Sequence, residues 1–388
     1  MSNEHDCIVC GSQDISRLVS VERAPVWCSR VCHTRASALA MPVAEISLVF
    51  CRECSHLFNQ TFETMPYSAE YDNSLHFSDT FQDYVESLAD ILVERYSLCG
   101  KTIVEIGCGR GDFLRMLCSR GAKLGVGFDP SCPAALSNEM DGADSNITIE
   151  RTTFPGAHTQ LTADFYCSRH TLEHIGNPRC FLSLLRKVIE IQNIPVVFEV
   201  PNSLYTLRDG GIWDVIYEHR SYFSHASLAR LFWECDFEPV ESHEAYGGQF
   251  LTIHAMTGKR SAAVPSPTTP HLNLLADTFA ARYQDKRTHW QEQIRTLHSS
   301  YSRPVLWGAG SKATTFLNLL QPPSIDYVVD LNPRKQGKFM VGTGQLIVAP
   351  EFLKEYCPDV VIVTNDNYAS EIRQSLWSLG LETPLLVA

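Results

Sequence analysis

Residues 104 to 111 read Val104-Glu105-Ile106-Gly107-Cys108-Gly109-Arg110-Gly111, a loop with glycine at every second position. It follows the β-rich run Thr102 to Ile106 and opens a helix-patterned stretch from Asp112 to Ser119, the context in which a glycine loop carries meaning. Glycine permits the tight turn and lets a ligand approach the backbone. Leu124 to Phe128 reads as a second strand and Phe165 to Ser168 as a later one. That βαβ rhythm implies a parallel sheet with helices on both faces. The rhythm returns near the C-terminus, with strands at Pro304 to Trp307, Ile325 to Val329 and Val360 to Thr364 and helices at Lys312 to Leu320 and Ala369 to Leu379. An α/β protein with a second, smaller Rossmann-like domain is expected. Between the two units, GKRSAAVPSPTTPH at 258–271 has the composition of a linker, and apolar spacing from Leu272 to about His298 predicts a connecting helix. The division read from these changes is 1–64, 65–257, the linker 258–271, and 272–388.

The 388 residues are 44% hydrophobic and 20% charged, a composition that supports a sizeable core and excludes long disorder. A net charge of -12 makes nucleic acid and anionic membrane poor partners. Apolar runs such as Val196 to Val200 are strand-sized, and the start MSNEHD lacks the regions of a signal peptide. A cytoplasmic protein with reduced thiols is expected. Of its 14 cysteines, eight are scattered as small core hydrophobes. The others crowd the N-terminus, where Cys7-Ile-Val-Cys10 and Cys51-Arg-Glu-Cys54 form two C-x-x-C turns. Together these supply the four thiolates that structural zinc prefers, with Cys28, Cys32 and His33 between them as substitute ligands. A closed four-thiolate shell leaves no position for substrate, so this zinc would staple a small lobe.

Two ligand classes compete for the central loop. A dinucleotide site wants G-x-G-x-x-G with a pyrophosphate on the helix N-terminus, whereas this loop is Glu-x-Gly-x-Gly-x-Gly. The latter resembles motif I of the class I methyltransferases that use S-adenosylmethionine (SAM). Asp129, in Gly-Phe-Asp-Pro130, is similar to the carboxylate that holds the ribose hydroxyls in that superfamily, and Ser168-Arg169-His170-Thr171-Leu172-Glu173-His174-Ile175 resembles its H-x-L-E-H segment. The resemblance implies a SAM site of Glu105, Gly107, Cys108, Gly109, Gly111, Asp129, Pro130, Arg169, His170, Leu172 and His174. His170 and His174 are also spaced for a metal pair, although lining the cofactor pocket is the preferred reading.

Over nearly its whole length the chain resembles the zinc-containing sugar C-methyltransferases of deoxysugar biosynthesis. The most specific piece is Tyr217-Glu218-His219-Arg220-Ser221-Tyr222-Phe223-Ser224, one residue shorter between tyrosine and glutamate than the family's Y-H-E-H-x-S-Y-F-S. In that family the tyrosine, the glutamate and the last histidine surround C3 of a nucleotide-linked 4-ketosugar. The chemistry needs a base near neutrality to remove a proton α to a ketone, a task that suits His219. Tyr217, Tyr222 and the lid residue Tyr71 are candidate donors to the oxyanion, and Glu218 would orient His219 or bind a sugar hydroxyl. Tyr67, His76, Asn202 and Gln249 are candidate acceptor ligands. So is Lys312 in Gly308-Ala309-Gly310-Ser311-Lys312, where a nucleotide diphosphate would rest on a helix N-terminus. Two other functions stay open: O- or N-methylation of another small metabolite, and a noncatalytic module that binds SAM and zinc. Tyr217, Glu218 and His219 in one segment favour an enzyme.

Overall fold

The computed structural model describes residues 6–30, 32–65, 75–134, 146–156, 162–191, 193–258, 270–300, 302–322 and 324–388. Tyr67, Tyr71 and nearly all of the expected linker lie outside them. Strands β1 (Ile15–Pro25), β2 (Val43–Cys51) and β3 (Leu57–Asn59) form an antiparallel N-terminal sheet. The central unit contributes β4 (Thr102–Ile106), β5 (Leu124–Phe128), β6 (Ile147–Glu150), β7 (Phe165–Arg169) and β8 (Pro195–Pro201) in parallel. The short β9 (Ser221–Tyr222) leaves that unit to become the fourth strand of the N-terminal sheet, pairing Leu57 with Tyr222. Strands β10 (Phe237–Ala245) and β11 (Phe250–Thr257) then close the central sheet in the order β10-β11-β8-β7-β4-β5-β6, with β11 antiparallel to both neighbours.

The sequence dictates these positions through burial. Ile103 to Ile106 and Val196 to Val200 are inaccessible on both faces, as strands covered by helices on both sides must be. The C-terminal sheet is parallel throughout and ordered β14-β13-β12-β15-β16, from β12 (Pro304–Trp307), β13 (Tyr327–Val329), β14 (Leu346–Val348), β15 (Val360–Val363) and β16 (Leu385–Val387). Each parallel sheet therefore has a point where the chain reverses its direction of winding, β4 against β7 and β12 against β15. A crevice opens there at the carboxyl ends of the strands.

The helix Pro270–Ser299 does more than connect. Its Leu272, Ala276, Phe279, Tyr283, Trp290 and Ile294 share one core with Trp27 of the N-terminal lobe, Trp213 of the central unit and Phe316 of the C-terminal unit. Cys7, Val9, Cys51 and Cys54 likewise pack into a core with Phe223 and Leu231. The N-terminal lobe thus borrows apolar cover from the central unit, as a segment of its size requires.

Candidate active site

Both crevices open into one cavity of about 1090 Å³, larger than the usual range for one drug-sized ligand, which ends near ~1,000 Å³. On the central side it is lined by Glu105, Gly107, Cys108, Gly109, Asp129, Pro130, Arg169, His170 and His174. Gly107 has φ +73°, and a Cβ there would lie 1.8 Å from the Thr171 hydroxyl oxygen, so only glycine fits. The Gly109 amide donates to Asp129 Oδ2 at 2.8 Å, while Ser131 donates to Oδ1 from its amide at 2.7 Å and its hydroxyl at 2.6 Å. Asp129 therefore shapes the loop as well as facing the ligand space.

Glu105 is buried and its Oε2 has no hydrogen-bond partner. Burial pushes its pKa up to about 8, although Arg169 works in the opposite direction. Such a carboxylate favours a cationic ligand group, which would restore the interactions it has lost. Arg169 is held by Glu199, with 3.0 Å from Nε and 2.9 Å from Nη2 to Oε1, and its guanidinium lies 4.7 Å from the centre of the Phe113 ring. The Tyr84 hydroxyl donates to the other Glu199 oxygen. Burial would raise Glu199, but Arg169 and His170 overcome it and hold the carboxyl at about 2. Sequence reasoning missed Glu199 and Tyr84. A lone charge inside the apolar strand β8 was the available signal for Glu199, whereas nothing on the amphipathic helix Asp79–Tyr96 distinguishes Tyr84.

Two expected cofactor contacts are corrected. Leu172 is fully buried in the core and does not reach the cavity. Gly111 also lies off the cavity; its φ is +82°, and a Cβ there would sit 2.5 Å from Ile149 Cδ1, so it lets the loop pack on β6.

Of the expected catalytic set, only His219 lines the cavity among the described residues. Tyr217 and Glu218 form a turn and Arg220 a bend, which sends successive side chains in different directions. Tyr217 is buried, accepts a hydrogen bond from the Glu63 amide at 3.0 Å and stacks on Phe62. Glu218 is buried toward the backbone amides of Cys28 and Ser29, and burial raises its pKa to about 8 despite them. Tyr222 exchanges hydrogen bonds of 3.0 Å with both the amide and the carbonyl of Ile216. Tyr222 supports the His219 ring at 5.5 Å, and His174 approaches the same ring at 5.0 Å. Burial, then the nearby His174, His170 and Lys312, push the His219 pKa well below its ordinary value. The ring is therefore neutral and offers a lone pair, but as a weaker base than the near-neutral one the sequence suggests.

Of the expected acceptor ligands, the described His76, Asn202, Gln249 and Lys312 lie on the cavity wall but already have partners. His76 Nε2 is 3.6 Å from Asp112. Asn202 caps the helix Ser203–Arg208 through the Leu204 amide at 3.0 Å and donates to the Gly248 carbonyl at 2.9 Å. Gln249 and Asn365 exchange amide hydrogen bonds of 2.6 and 3.0 Å between the two units. Lys312 Nζ lies 2.6 Å from Asp214 and 4.9 Å from the centre of the Tyr205 ring.

In the N-terminal lobe, Cys7, Cys10, Cys51 and Cys54 place their sulfurs within 4.8 Å of one another. The Cys7 to Cys54 and Cys10 to Cys51 separations are 3.6 Å. Tetrahedral bonds of about 2.3 Å require sulfurs about 3.8 Å apart, so the four residues fit a zinc ion. Cys28 instead faces the Pro25 carbonyl, Cys32 packs on Ala38 and Val341, and His33 is exposed; none joins the cluster.

The sheet order with antiparallel β11, the glycine loop after β4 and the acidic end of β5 define a class I methyltransferase. Residues 79–242 match a family model described as a methyltransferase domain, and residues 273–380 match a C-methyltransferase C-terminal domain. The C-methyltransferase NovU of Streptomyces niveus is 24% identical over 395 residues, covering 95% of this chain and 91% of its own. The chain carries a methyltransferase domain followed by a C-methyltransferase C-terminal domain and is an enzyme that transfers methyl groups. Among solved structures, the 1,6-didemethyltoxoflavin-N1-methyltransferase of Burkholderia thailandensis is similar over 54% of this chain and 98% of its own, at 14% identity and TM-score 0.38. A SAM-dependent methyltransferase from Mesorhizobium loti is similar over 44% and 99%, at 18% identity and TM-score 0.37. Among the described residues, no helix is long and apolar enough to cross a membrane.

Proposed function

We propose that this enzyme moves a methyl group from SAM to the carbon beside a carbonyl of a nucleotide-linked ketosugar, with His219 as general base and a structural zinc on the four cysteines. The observation that carries the reading is the single cavity onto which Glu105, both glycine loops and His219 open. SAM supplies an electrophilic methyl on a sulfonium when bound. Glu105 offers its unpartnered buried oxygen to the cationic methionine end, and Asp129 its carboxylate to the ribose. His219, neutral and on the cavity wall, accepts the α proton of the ketone. Transfer of label from SAM to candidate nucleotide ketosugars, with the labelled atom located by NMR, tests the assignment; label on oxygen or nitrogen overturns it in favour of O- or N-methylation.

Asp129→Ala is expected to weaken SAM binding by roughly 1.5 to 3 kcal/mol, the scale of a lost charged hydrogen bond. The loss includes the loop contacts to Gly109 and Ser131. Calorimetry that finds unchanged affinity removes Asp129 from the site.

The second crevice supports the nucleotide part. Asp330 repeats the arrangement of Asp129, accepting from the Ala309 amide at 2.6 Å and the Asn332 amide at 2.8 Å. It thereby offers a ribose-binding carboxylate beside the loop at 308–310. A diphosphate there would draw Lys312 away from Asp214. A nucleoside diphosphate is therefore expected to raise the melting midpoint and slow amide exchange around Lys312. NAD and NADP are expected to do neither, because this loop lacks the longer dinucleotide fingerprint. Equal stabilisation by NAD contradicts the assignment.

A further inference from the structure

Glu173, His174 and His219 each present a metal-ligating atom, all within 4.8 Å of one another, on the wall of the large cavity and apart from the cysteine cluster. His174 Nδ1 lies 2.9 Å from the Glu218 carbonyl oxygen. A carbonyl only accepts, so Nδ1 carries a proton and Nε2 is the nitrogen left to offer a lone pair to a metal. That nitrogen is 4.0 Å from Glu173 Oε1. The Glu173 side chain is 1% exposed, and neither its Oε2 nor His219 Nδ1 has a hydrogen-bond partner. The buried Glu173 oxygen and His219 Nδ1 thus lack partners beside the His174 ring, and an unpartnered buried carboxylate oxygen is costly without a cation.

Two imidazole nitrogens and one carboxylate, with the cavity on the remaining side, are a donor set for a late first-row divalent ion with an open position. The hydrogen bond from His174 to a backbone carbonyl is the outer contact by which metal-binding histidines are oriented. His170 lies near the same glutamate, 3.7 Å from Glu173 Oε1, but its Nε2 is also 3.2 Å from Glu199 Oε1, and it falls outside the group. Bonds of about 2.0 to 2.2 Å would bring the ligand atoms to about 3.3 Å apart, a closure within the reach of side-chain rotation.

We propose that Glu173, His174 and His219 form a second, exchangeable site for a divalent transition metal such as Zn2+ or Ni2+, and that its occupation stops methyl transfer. The inhibition rests on the proposed role of His219, because coordination uses the lone pair that would accept the α proton; metal binding itself does not rest on it.

The test titrates the untagged full-length protein, with the zinc content of its cysteine cluster counted beforehand, against NiCl2 by calorimetry, with turnover followed in parallel. One equivalent of Ni2+ is expected to bind beyond the cysteine cluster. Turnover should fall in step with occupancy and return when a chelator removes the nickel. Glu173→Gln and His174→Asn should each weaken that equivalent by more than about 100-fold, since even loss of an outer-shell partner costs about 10- to 100-fold. An unchanged melting midpoint controls for folding. No saturable nickel binding in the wild type, or undiminished binding in both variants, overturns the site and leaves the base assignment standing. Stoichiometric binding with full turnover overturns the inhibition and, with it, His219 as base.

Discussion

His219→Asn is expected to leave SAM affinity intact while turnover falls by about 100-fold or more, the range that general-base catalysis supplies. Asparagine keeps a polar group at the cavity wall but has no basic nitrogen. The flanking supports remain, because Tyr222 is tied to the Ile216 backbone and His174 to the Glu218 carbonyl. Under the proposed chemistry, the variant should also fail to exchange the acceptor's α hydrogen with deuterated water in the absence of SAM, because proton removal precedes methyl transfer. Exchange and turnover that both survive place the base elsewhere. Wild-type methylation at oxygen or nitrogen, without exchange at carbon, replaces C-methylation altogether.

Stripping metal from the cysteine cluster, or Cys51→Ser, is expected to unfold the N-terminal lobe and to inactivate the enzyme with it. Structural zinc in small thiolate sites contributes on the order of 10 kcal/mol, as much as the whole stability of an ordinary domain, about 5–15 kcal/mol. The damage should not stop at the lobe. Cys51 ends β2, β2 pairs with β3, and β3 pairs with β9, where the Asn59 amide donates to the Arg220 carbonyl at 3.0 Å. Arg220 follows His219 directly. Circular dichroism, melting and turnover measured during chelation should therefore change together. A metal-free protein with full stability and activity overturns the zinc assignment.

Much of this architecture is legible in neighbouring residues. The strand Thr102–Ile106 and the helix Asp112–Ser119 stand where apolar periodicity puts them, and Gly107 is needed because Thr171 occupies the space of a side chain. The paired cysteine turns announce their cluster by spacing alone. The site residues proved harder to read. Tyr217, Glu218 and His219 look like one catalytic unit in the sequence, yet the turn that carries them sends only His219 into the cavity. Lys312 looks like a free cation, but Asp214, from a different unit, lies against it.

What the sequence determined by itself is local: two glycine loops, each opening a helix after a buried strand, and two thiolate knuckles. These follow from backbone sterics, periodicity and ligand spacing within a few residues. Only the tertiary structure decided that the two crevices face each other across one cavity, latched by Gln249 and Asn365 116 positions apart, and that β9 ties the cysteine lobe to His219. Those relations are set by long-range burial and strand pairing, whose partners are not encoded in the spacing of adjacent residues.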